Sequence, residues 1–403
     1  MFNHLSKVSI VKVDDEKVDK AVRKAVEMVG GFKNLINEKR SVLIKPNLVW
    51  PEKSGTGITT DSRVIEAVTK LVLEYYPKRV VIGEGCGLGY FVREARERDT
   101  MINFRVSGTM DVAERLGVDL IDLNKDDKVE VKVPNAFVMK KFRVAKTALD
   151  ADVRISVPVL KTHSQSTITC SLKNMKGALP GVEKRLTHKL GLERGIVDLN
   201  MVIKPHFALV DAIRGMQGIW RHPQDTVKMD LILAGSDPVA VDSVCSRLMG
   251  FDPSKILYLK LAQEANLGVS DTLKIKVVGE KLENVTRKFL TYFEVIRSRY
   301  PSISVIESKA CTGCIGEIRN MVGFLENSGL MSQLNDLKVI TGSPEVIPEE
   351  GEKIIVGKCA EKYKDLGFFV PGCPPHGREI ALAVCRKFNL DEQVLLETIK
   401  QVE

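Results

Sequence analysis

The chain has 403 residues, of which 44% are hydrophobic and 28% are charged. This balance is typical of a globular protein and excludes a disordered or fibrous chain, and the length predicts two or three domains. No apolar run approaches the ~18 residues that span a bilayer, so we expect no membrane insertion. The N-terminal segment becomes charged too early for a signal peptide, and we therefore expect a cytoplasmic location.

The formal net charge is +8. Such an excess can attract nucleic acid or an anionic small molecule. Basic and acidic residues are interleaved, however, as in VREARERD and EEGEKIIVGKCAEKYKD, and interleaved charges indicate a solvated surface. No basic segment carries the aromatic side chains on which bases stack. We therefore expect no nucleic-acid partner and keep an anionic small molecule as a candidate ligand.

Short apolar strands alternate with helix-length segments over residues 1–282. Strands are predicted at 8–13, 41–49, 79–83, 118–123, 129–133, 153–160, 208–213, 229–234 and 275–278, with helices at 18–29 and 61–75 among the intervening segments. This alternation favours an α/β domain whose mostly parallel sheet is covered by helices.

A helical connector is predicted over residues 283–301, where ENVTRKFLTYFEVIRSRY is followed by Pro301. A second, smaller α/β domain is predicted over residues 302–403. Its strands begin with ISVIES at Ile303 and continue at 337–340 and 353–356. The chain thus divides into a larger domain, a connector and a smaller domain.

Five of the eight cysteines lie after residue 300. Cys311 and Cys314 form a CxxC pair after ISVIES, Cys359 follows KIIVG, and Cys373 lies in VPGCPPHG. Loops at the carboxyl ends of parallel strands converge, so the four thiols are expected to meet. Such a set predicts ligands of a [4Fe–4S] cluster, with structural zinc as the alternative. Cys385 lies in a helical pattern and is interpreted as a buried core thiol.

The ordered motifs CTGC, GKCA and PGCPP resemble the proximal-cluster domain of nickel–iron hydrogenase small subunits and the related subunit of respiratory complex I. The resemblance covers about residues 303–390. It implies a flavodoxin-like domain in which all four cysteines ligate one [4Fe–4S] cluster and exchange electrons with a ferredoxin-like partner. The cysteines that bind further clusters in those families have no counterpart here, so a chain of clusters is not expected.

Residues 40–245 resemble another family, the domain-of-unknown-function-362 proteins. The resemblance rests on SVLIKPNLV with GITTD, SVPVLKTHSQSTITCSLKNMKGALPG, LVDAIRGMQG and LAGSDPVAVD. Many relatives carry ferredoxin-like cluster domains, which agrees with the cysteine pattern, but the family implies no particular reaction. KGALPG with the following His188 is also similar to a lysine-containing loop of nickel-pincer lactate racemases, over a short stretch.

Basic side chains lie at the ends of predicted strands of the larger domain, and this edge of a parallel sheet is where ligands bind. They divide into candidate catalytic residues, Lys161, His163 and Lys176, and candidate substrate-binding residues, Lys45, Lys173 and His188. Lysine and histidine in this position favour a carboxylate- or phosphate-bearing ligand. The alternative is that the lysines are ordinary solvated surface charges.

A glycine loop, GEGCGLG at 83–89, departs from the dinucleotide-binding pattern because Leu88 replaces the third glycine. It is interpreted as a loop lining the site. Taken together, the patterns predict an iron–sulfur oxidoreductase that passes electrons from a ferredoxin-like donor to an anionic substrate or partner. The alternatives are a non-catalytic electron-transfer or assembly protein and a zinc-stabilised ligand-binding protein.

Overall fold

The structure, a computed structural model, describes residues 5–14, 17–87, 99–218 and 223–402. The chain divides into two compact units. Among the described residues, the first comprises those within 5–87, 99–162 and 166–289, and the second comprises 163–165 and 290–402.

The strands of the first unit form one large sheet and one separate antiparallel pair. They are β1 (Ser6–Lys12), β2 (Ser41–Pro46), β3 (Arg79–Glu84), β4 (Asp119–Asp122), β5 (Lys128–Lys132), β6 (Lys141–Ala145), β7 (Val153–Val157), β8 (Val159–His163), β9 (Thr167–Thr169), β10 (Phe207–Met216), β11 (Thr226–Gly235) and β12 (Ile275–Gly279). Within the described ranges the sheet has the order β12-β1-β11-β10-β7-β2-β3-β4, and β8 pairs with both β10 and β9. The separate pair is β5 with β6.

The helices of the first unit cover the large sheet. They are α1 (Val18–Met28), α2 (Ser62–Leu73), α3 (Thr100–Val106), α4 (Thr109–Leu116), α5 (Lys146–Asp150), α6 (Ser171–Asn174), α7 (Gly181–Ile203), α8 (Pro238–Leu248), α9 (Leu257–Glu264) and α10 (Leu282–Val285). A kink at Gly191, where φ is 122°, divides α7. Asp237 caps α8 by accepting from the N–H groups of Val239 and Ala240, and proline follows it at the first helical position, where the missing N–H costs nothing.

Alternate residues of the central strands pack into different apolar clusters. Ile232 and Ala234 contact the cluster that contains α1 and α2, whereas Leu231 and Leu233 contact the cluster that contains α8 and α9. Since side chains alternate between the faces of a strand, helices cover both faces of the sheet. The predicted α/β class, with a large, mostly parallel sheet covered by helices, is confirmed.

Two local features differ from the sequence prediction. Strand β11 is antiparallel to both β10 and β1. The segment 217–225, which joins β10 to β11, is too short for the crossover that a parallel pair needs. The strand predicted at 153–160 is interrupted at Pro158, which has no N–H to donate to a neighbouring strand.

The second unit contains a four-stranded parallel sheet in the described residues. Its elements are α11 (Tyr292–Arg299), β13 (Ile303–Ile306), α12 (Thr312–Asn327), β14 (Leu337–Thr341), β15 (Glu352–Val356), β16 (Phe368–Val370), α13 (Gly377–Phe388) and α14 (Glu392–Val402). The strand order is sequential, β13-β14-β15-β16, which differs from the 2-1-3-4-5 order of flavodoxin within the same α/β class. The predicted connector consists of α10 and α11 with residues 286–291 outside either helix.

Candidate functional site

A buried ion pair joins the ends of two neighbouring strands of the first unit. The Lys45 ammonium on β2 lies 2.7 Å from Glu84 Oε1 on β3. The second oxygen of Glu84 accepts from the N–H of Leu48 at 3.0 Å. Gly177 packs directly against the pair, since an ideal Cβ there would lie 2.0 Å from Glu84 Oε1 and 2.5 Å from Lys45 Nζ. Any side chain at position 177 would clash with the ion pair, so only glycine lets the backbone pass this close to it.

An asparagine bridge connects Lys45 to Lys161 on β8. Asn174 Oδ1 accepts from Lys45 Nζ at 3.4 Å and from Asn47 Nδ2 at 3.3 Å. The Oδ1 of Asn47 in turn accepts from Lys161 Nζ, which also donates to the carbonyl of Ile58 at 3.1 Å. The structure thus brings two lysines that the sequence assigns to the site into one hydrogen-bond network.

A third lysine of this network, Lys184 on α7, was not predicted from the sequence. Its ammonium donates to the carbonyls of Gly85 at 2.7 Å and Cys86 at 3.0 Å, and to Asn124 Oδ1 at 2.6 Å. The glycine loop therefore lies at the site, as interpreted above, through backbone carbonyls. Its residues Leu88 and Gly89 lie outside the described residues.

Lys176 follows α6 and is also buried, with 8% of its surface exposed. No hydrogen bond or ion pair joins its ammonium to another residue in the part of the chain that the structure describes. The charges of Lys173 and Lys184 both act on it. Lys173 is half-buried and donates to Thr169 Oγ1 at 3.1 Å.

We refer to Lys45, Lys161, Lys176 and Lys184 as the buried lysine cluster. Among the described residues, hydrogen bonds from these ammoniums reach one carboxylate, that of Glu84, and otherwise only carbonyl or amide oxygens. Neutral oxygens solvate the ammonium groups without cancelling their charge. The cluster therefore has an excess of positive charge that a bound anion would compensate.

Burial lowers the pKa of every lysine in this cluster, because the charged form loses its hydration. The pKa of Lys161 and that of Lys184 both fall to about 8. Lys176 has a pKa well below its usual value, because neighbouring positive charges add to the effect of burial. For Lys45, burial lowers the pKa and the charge of Glu84 opposes the change. Amines of this kind can exchange protons near neutral pH.

The two predicted histidines are both half-buried. His163 is the last residue of β8 and groups with the second unit, where its Nδ1 accepts from the N–H of Gln165 at 3.1 Å. His188 is half-buried on α7.

A cleft of about 440 Å³ lies beside the loop that contains Ile58. It is lined by Gly55, Gly57, Thr59, Asp61, Arg63, Asp211, Ile213, Arg214 and Asp230. The carboxylate of Asp211 accepts from the N–H of Asp61 at 2.8 Å, and burial raises the pKa of Asp211 to about 7. The sequence contained no pattern that would have paired these two residues.

In the second unit, the four predicted cysteine ligands lie at the carboxyl ends of parallel strands. Cys311 precedes α12 after β13, Cys359 follows β15, and Cys373 follows β16. The last two loops are joined, because the N–H of Lys358 donates to the carbonyl of Gly372 at 2.8 Å. The CTGC turn adjoins them as well, since an ideal Cβ on Gly313 would lie 3.4 Å from Pro374 Cγ.

The thiols themselves differ in exposure and ionisation. Cys314 is buried, whereas Cys311, Cys359 and Cys373 are exposed. A hydrogen bond from Cys314 lowers the pKa of Cys311, and the same bond raises the pKa of Cys314. An ideal Cβ on Gly357 would lie 2.8 Å from Cys314 Sγ, so the absence of a side chain there leaves room beside the sulfur.

Four thiols are the donor set that a cubane cluster requires, and here they are carried by three adjoining loops. Thiolates are the ligating form, and the lowered pKa of Cys311 favours that form. Among the described residues, no group of three His, Cys, Asp or Glu side chains is arranged to hold a metal ion. The cluster assignment therefore stays a prediction. Cys385 is buried in α13, as its helical pattern predicts.

The larger unit is thus an α/β domain with a cluster of buried lysines beside the ends of its strands. Residues 42–247 match the family described as a domain of unknown function (DUF362). The match covers just over half of the chain, and the protein belongs to this family.

One similar protein is a thylakoid-associated protein of Synechocystis, with 27% identity over 261 residues, which are 62% of this chain and 75% of that protein. Within the described residues, no helix is long and apolar enough to cross a membrane.

Two solved structures are similar at a lower level, each with 12% sequence identity. The lactate racemase apoprotein of Thermoanaerobacterium thermosaccharolyticum matches 61% of this chain and 58% of its own, with a TM-score of 0.40. A Thermotoga maritima protein matches 90% of this chain and 92% of its own, with a TM-score of 0.35.

Proposed function

We propose that this protein is an iron–sulfur oxidoreductase that acts on a small anionic substrate. One [4Fe–4S] cluster would be held by Cys311, Cys314, Cys359 and Cys373. The observation that supports this proposal most is the placement of these cysteines on three adjoining loops at one edge of a parallel sheet. The resemblance of the three cysteine motifs to the proximal-cluster domain of hydrogenase small subunits supports the same ligand set.

A bound cluster of this type supplies or accepts one electron at a time. Gly357 and Gly372, which flank two of the ligand loops, both have positive φ values, 87° and 144°. Glycine adopts these φ values without strain, and its lack of a side chain leaves room beside the ligand loops for a cluster. The cytoplasm is the proposed compartment and a ferredoxin-like protein is the proposed electron partner.

The buried lysine cluster is proposed to bind the carboxylate or phosphate of the substrate. Lys45 is held in place by Glu84, and Lys161 is held by Asn47 and Ile58. Lys161 and Lys176 would exchange protons with the substrate as it gains or loses electrons, because burial lowers the pKa of both amines. Lys173, His163 and His188 are proposed to complete the site.

The proposal is tested with anaerobically purified protein that has been reduced with dithionite and freed of excess reductant. A panel of carboxylate- and phosphate-bearing acceptors is added, and the return of the oxidised cluster's absorbance is followed. We expect an anionic acceptor to reoxidise the wild type. In Lys161→Met this reaction should be roughly ten- to a hundredfold less efficient at low acceptor concentration, as expected for the loss of one charged contact.

A matched control is Lys260→Met, which removes an exposed lysine from α9 of the same unit. It should behave like the wild type, and both variants should keep the iron content of the wild type. Protein that contains no iron, or reoxidation that is equally fast in Lys161→Met, would contradict the proposal.

A second candidate is a non-catalytic electron-transfer protein. The exposure of Cys311, Cys359 and Cys373 favours it, because a cluster at these positions could exchange electrons directly with a protein partner. In that case small anions would leave the reduced protein unchanged, and an oxidised ferredoxin would reoxidise it.

A further inference from the structure

Among the described residues, Lys176 differs from the other members of the buried lysine cluster because its ammonium has no hydrogen-bond acceptor. Lys45, Lys161 and Lys184 all donate to carboxylate, carbonyl or amide oxygens. Lys176 is nine-tenths buried, and within the described residues its ammonium makes no hydrogen bond or ion pair. Its immediate electrostatic neighbours are two further lysines, Lys173 and Lys184. A permanently charged amine would be unfavourable in this position, whereas a neutral amine is compatible with it.

We propose that Lys176 is a nucleophile that forms an imine with the carbonyl group of an anionic substrate. The inference rests on the proposed function and specifies its substrate class, which is an anion that also bears a ketone or aldehyde, such as a 2-oxo acid or a phosphorylated ketone. The neighbouring ammoniums bind the carboxylate or phosphate, and Lys176 reacts with the carbonyl carbon.

The environment of Lys176 supplies the two requirements of this step. Burial and the adjacent positive charges lower the pKa of the amine, which favours its neutral, nucleophilic form. Lys184, whose pKa falls to about 8, supplies the nearby proton.

The reaction balances without an oxidant or reductant. The amine nitrogen bonds to the carbonyl carbon, the carbon–oxygen double bond is broken, and the oxygen leaves as water. Both hydrogens of that water come from the amine. The proton from Lys184 binds to the imine nitrogen, which then carries a positive charge. The positive imine then draws electron density from the substrate carbon, which makes that carbon easier to reduce or its neighbour easier to deprotonate.

Borohydride trapping tests the inference on the full-length, anaerobically purified protein. The protein is incubated with pyruvate or with dihydroxyacetone phosphate, reduced with sodium borohydride, and examined by intact-mass measurement and peptide mapping. We expect one reduced adduct per chain, located on Lys176. The two probes distinguish a carboxylate-binding site from a phosphate-binding site, and excess acetate or inorganic phosphate should suppress the adduct of the corresponding probe.

Lys176→Met removes the amine without adding a permanent charge, cannot form an imine and should give no adduct. Lys260→Met should give the same adduct as the wild type. If Lys176→Met fails to fold, the site of the adduct in the wild type still decides the question.

Two results would overturn the inference. If either probe binds, as measured by calorimetry, but no adduct forms or the adduct maps to another lysine, the imine is excluded and the proposed anion site is retained. If neither probe binds and no adduct forms, the imine and the proposed anion site both fail.

Discussion

The Lys45 ammonium lies 2.7 Å from Glu84 Oε1, and both side chains are almost completely excluded from solvent. Strands β2 and β3 are parallel neighbours, with Ile44 opposite Ile82, so the two charged residues meet at the same sheet edge. Lys45 also donates to Asn174, through which the pair is connected to the rest of the buried lysine cluster. The ion pair therefore helps to position the buried lysine cluster.

Replacing Glu84 with glutamine should destabilise the protein strongly. The substitution leaves Lys45 buried without its counter-ion, and breaking a buried pair typically costs about 3–5 kcal/mol. The free energy of unfolding is measured by urea denaturation at neutral pH. A matched control on the same strand is Arg79→Met, which breaks an exposed pair with Asp119 and should cost less than about 1 kcal/mol. Equal effects of the two substitutions would show that burial of the Lys45–Glu84 pair is unimportant.

Affinity for a small carboxylate should fall as the pH rises through about 8. Lys161 and Lys184 have pKa values of about 8, so both lose positive charge over this range and attract an anion less. Oxalate stays fully ionised at neutral and alkaline pH and is a suitable probe for calorimetric titration. Lys161→Met should bind more weakly below pH 8 and show a shallower pH dependence. An affinity that is constant from pH 7 to pH 9 would contradict the proposed role of the two amines.

Asp211→Asn should remove a pH-dependent loss of stability. The folded-state pKa of Asp211 is about 7, above that of an unfolded aspartate at about 3.9. The folded state therefore binds more protons between these values, and the stabilising contribution present below about pH 4 is lost as the pH rises to 7. One unit of pKa corresponds to about 1.4 kcal/mol, so the stability of the wild type relative to Asp211→Asn should fall by a few kcal/mol over this range.

Urea denaturation of the two proteins between pH 4 and pH 7 measures this difference directly. Other titrating groups are common to both proteins and largely cancel. A difference in stability that does not change with pH would mean that the pKa of Asp211 is the same in the folded and unfolded protein, which contradicts a raised pKa in the folded state.

Part of the lysine site was predictable because strand patterns place residues at strand ends. SVLIK places Lys45 at the end of β2, and VPVLKTH places Lys161 in β8. Glu84 also ends a strand, but its pairing with Lys45 depends on β2 and β3 being neighbours, which the sequence alone does not specify. Lys184 lies in a helix of mixed charge, and only the packing of that helix against the Gly85 loop buries its amine.

In the second unit too, strands were predictable from the sequence, whereas contacts between distant residues were not. The strands before Cys311 and Cys359 were predicted from short apolar runs, and the structure contains them as β13 and β15. The predicted helical connector was wrong over residues 286–291, because a helical hydrophobic pattern does not reveal where tertiary contacts replace helical hydrogen bonds. The difference in ionisation between Cys311 and Cys314 likewise follows from their mutual hydrogen bond rather than from the CxxC spacing.

The measurement that tests the central claim most directly is iron and acid-labile sulfide per chain in anaerobically purified wild type, Cys373→Ser and Cys385→Ser. We expect about four irons and four sulfides in the wild type, as one cubane cluster requires. Cys373→Ser should lose most of both, whereas Cys385→Ser, which changes a buried thiol of α13, should keep them. Full iron retention in Cys373→Ser, or a wild type that holds one zinc and no sulfide, would contradict the assignment of an iron–sulfur cluster to these four cysteines.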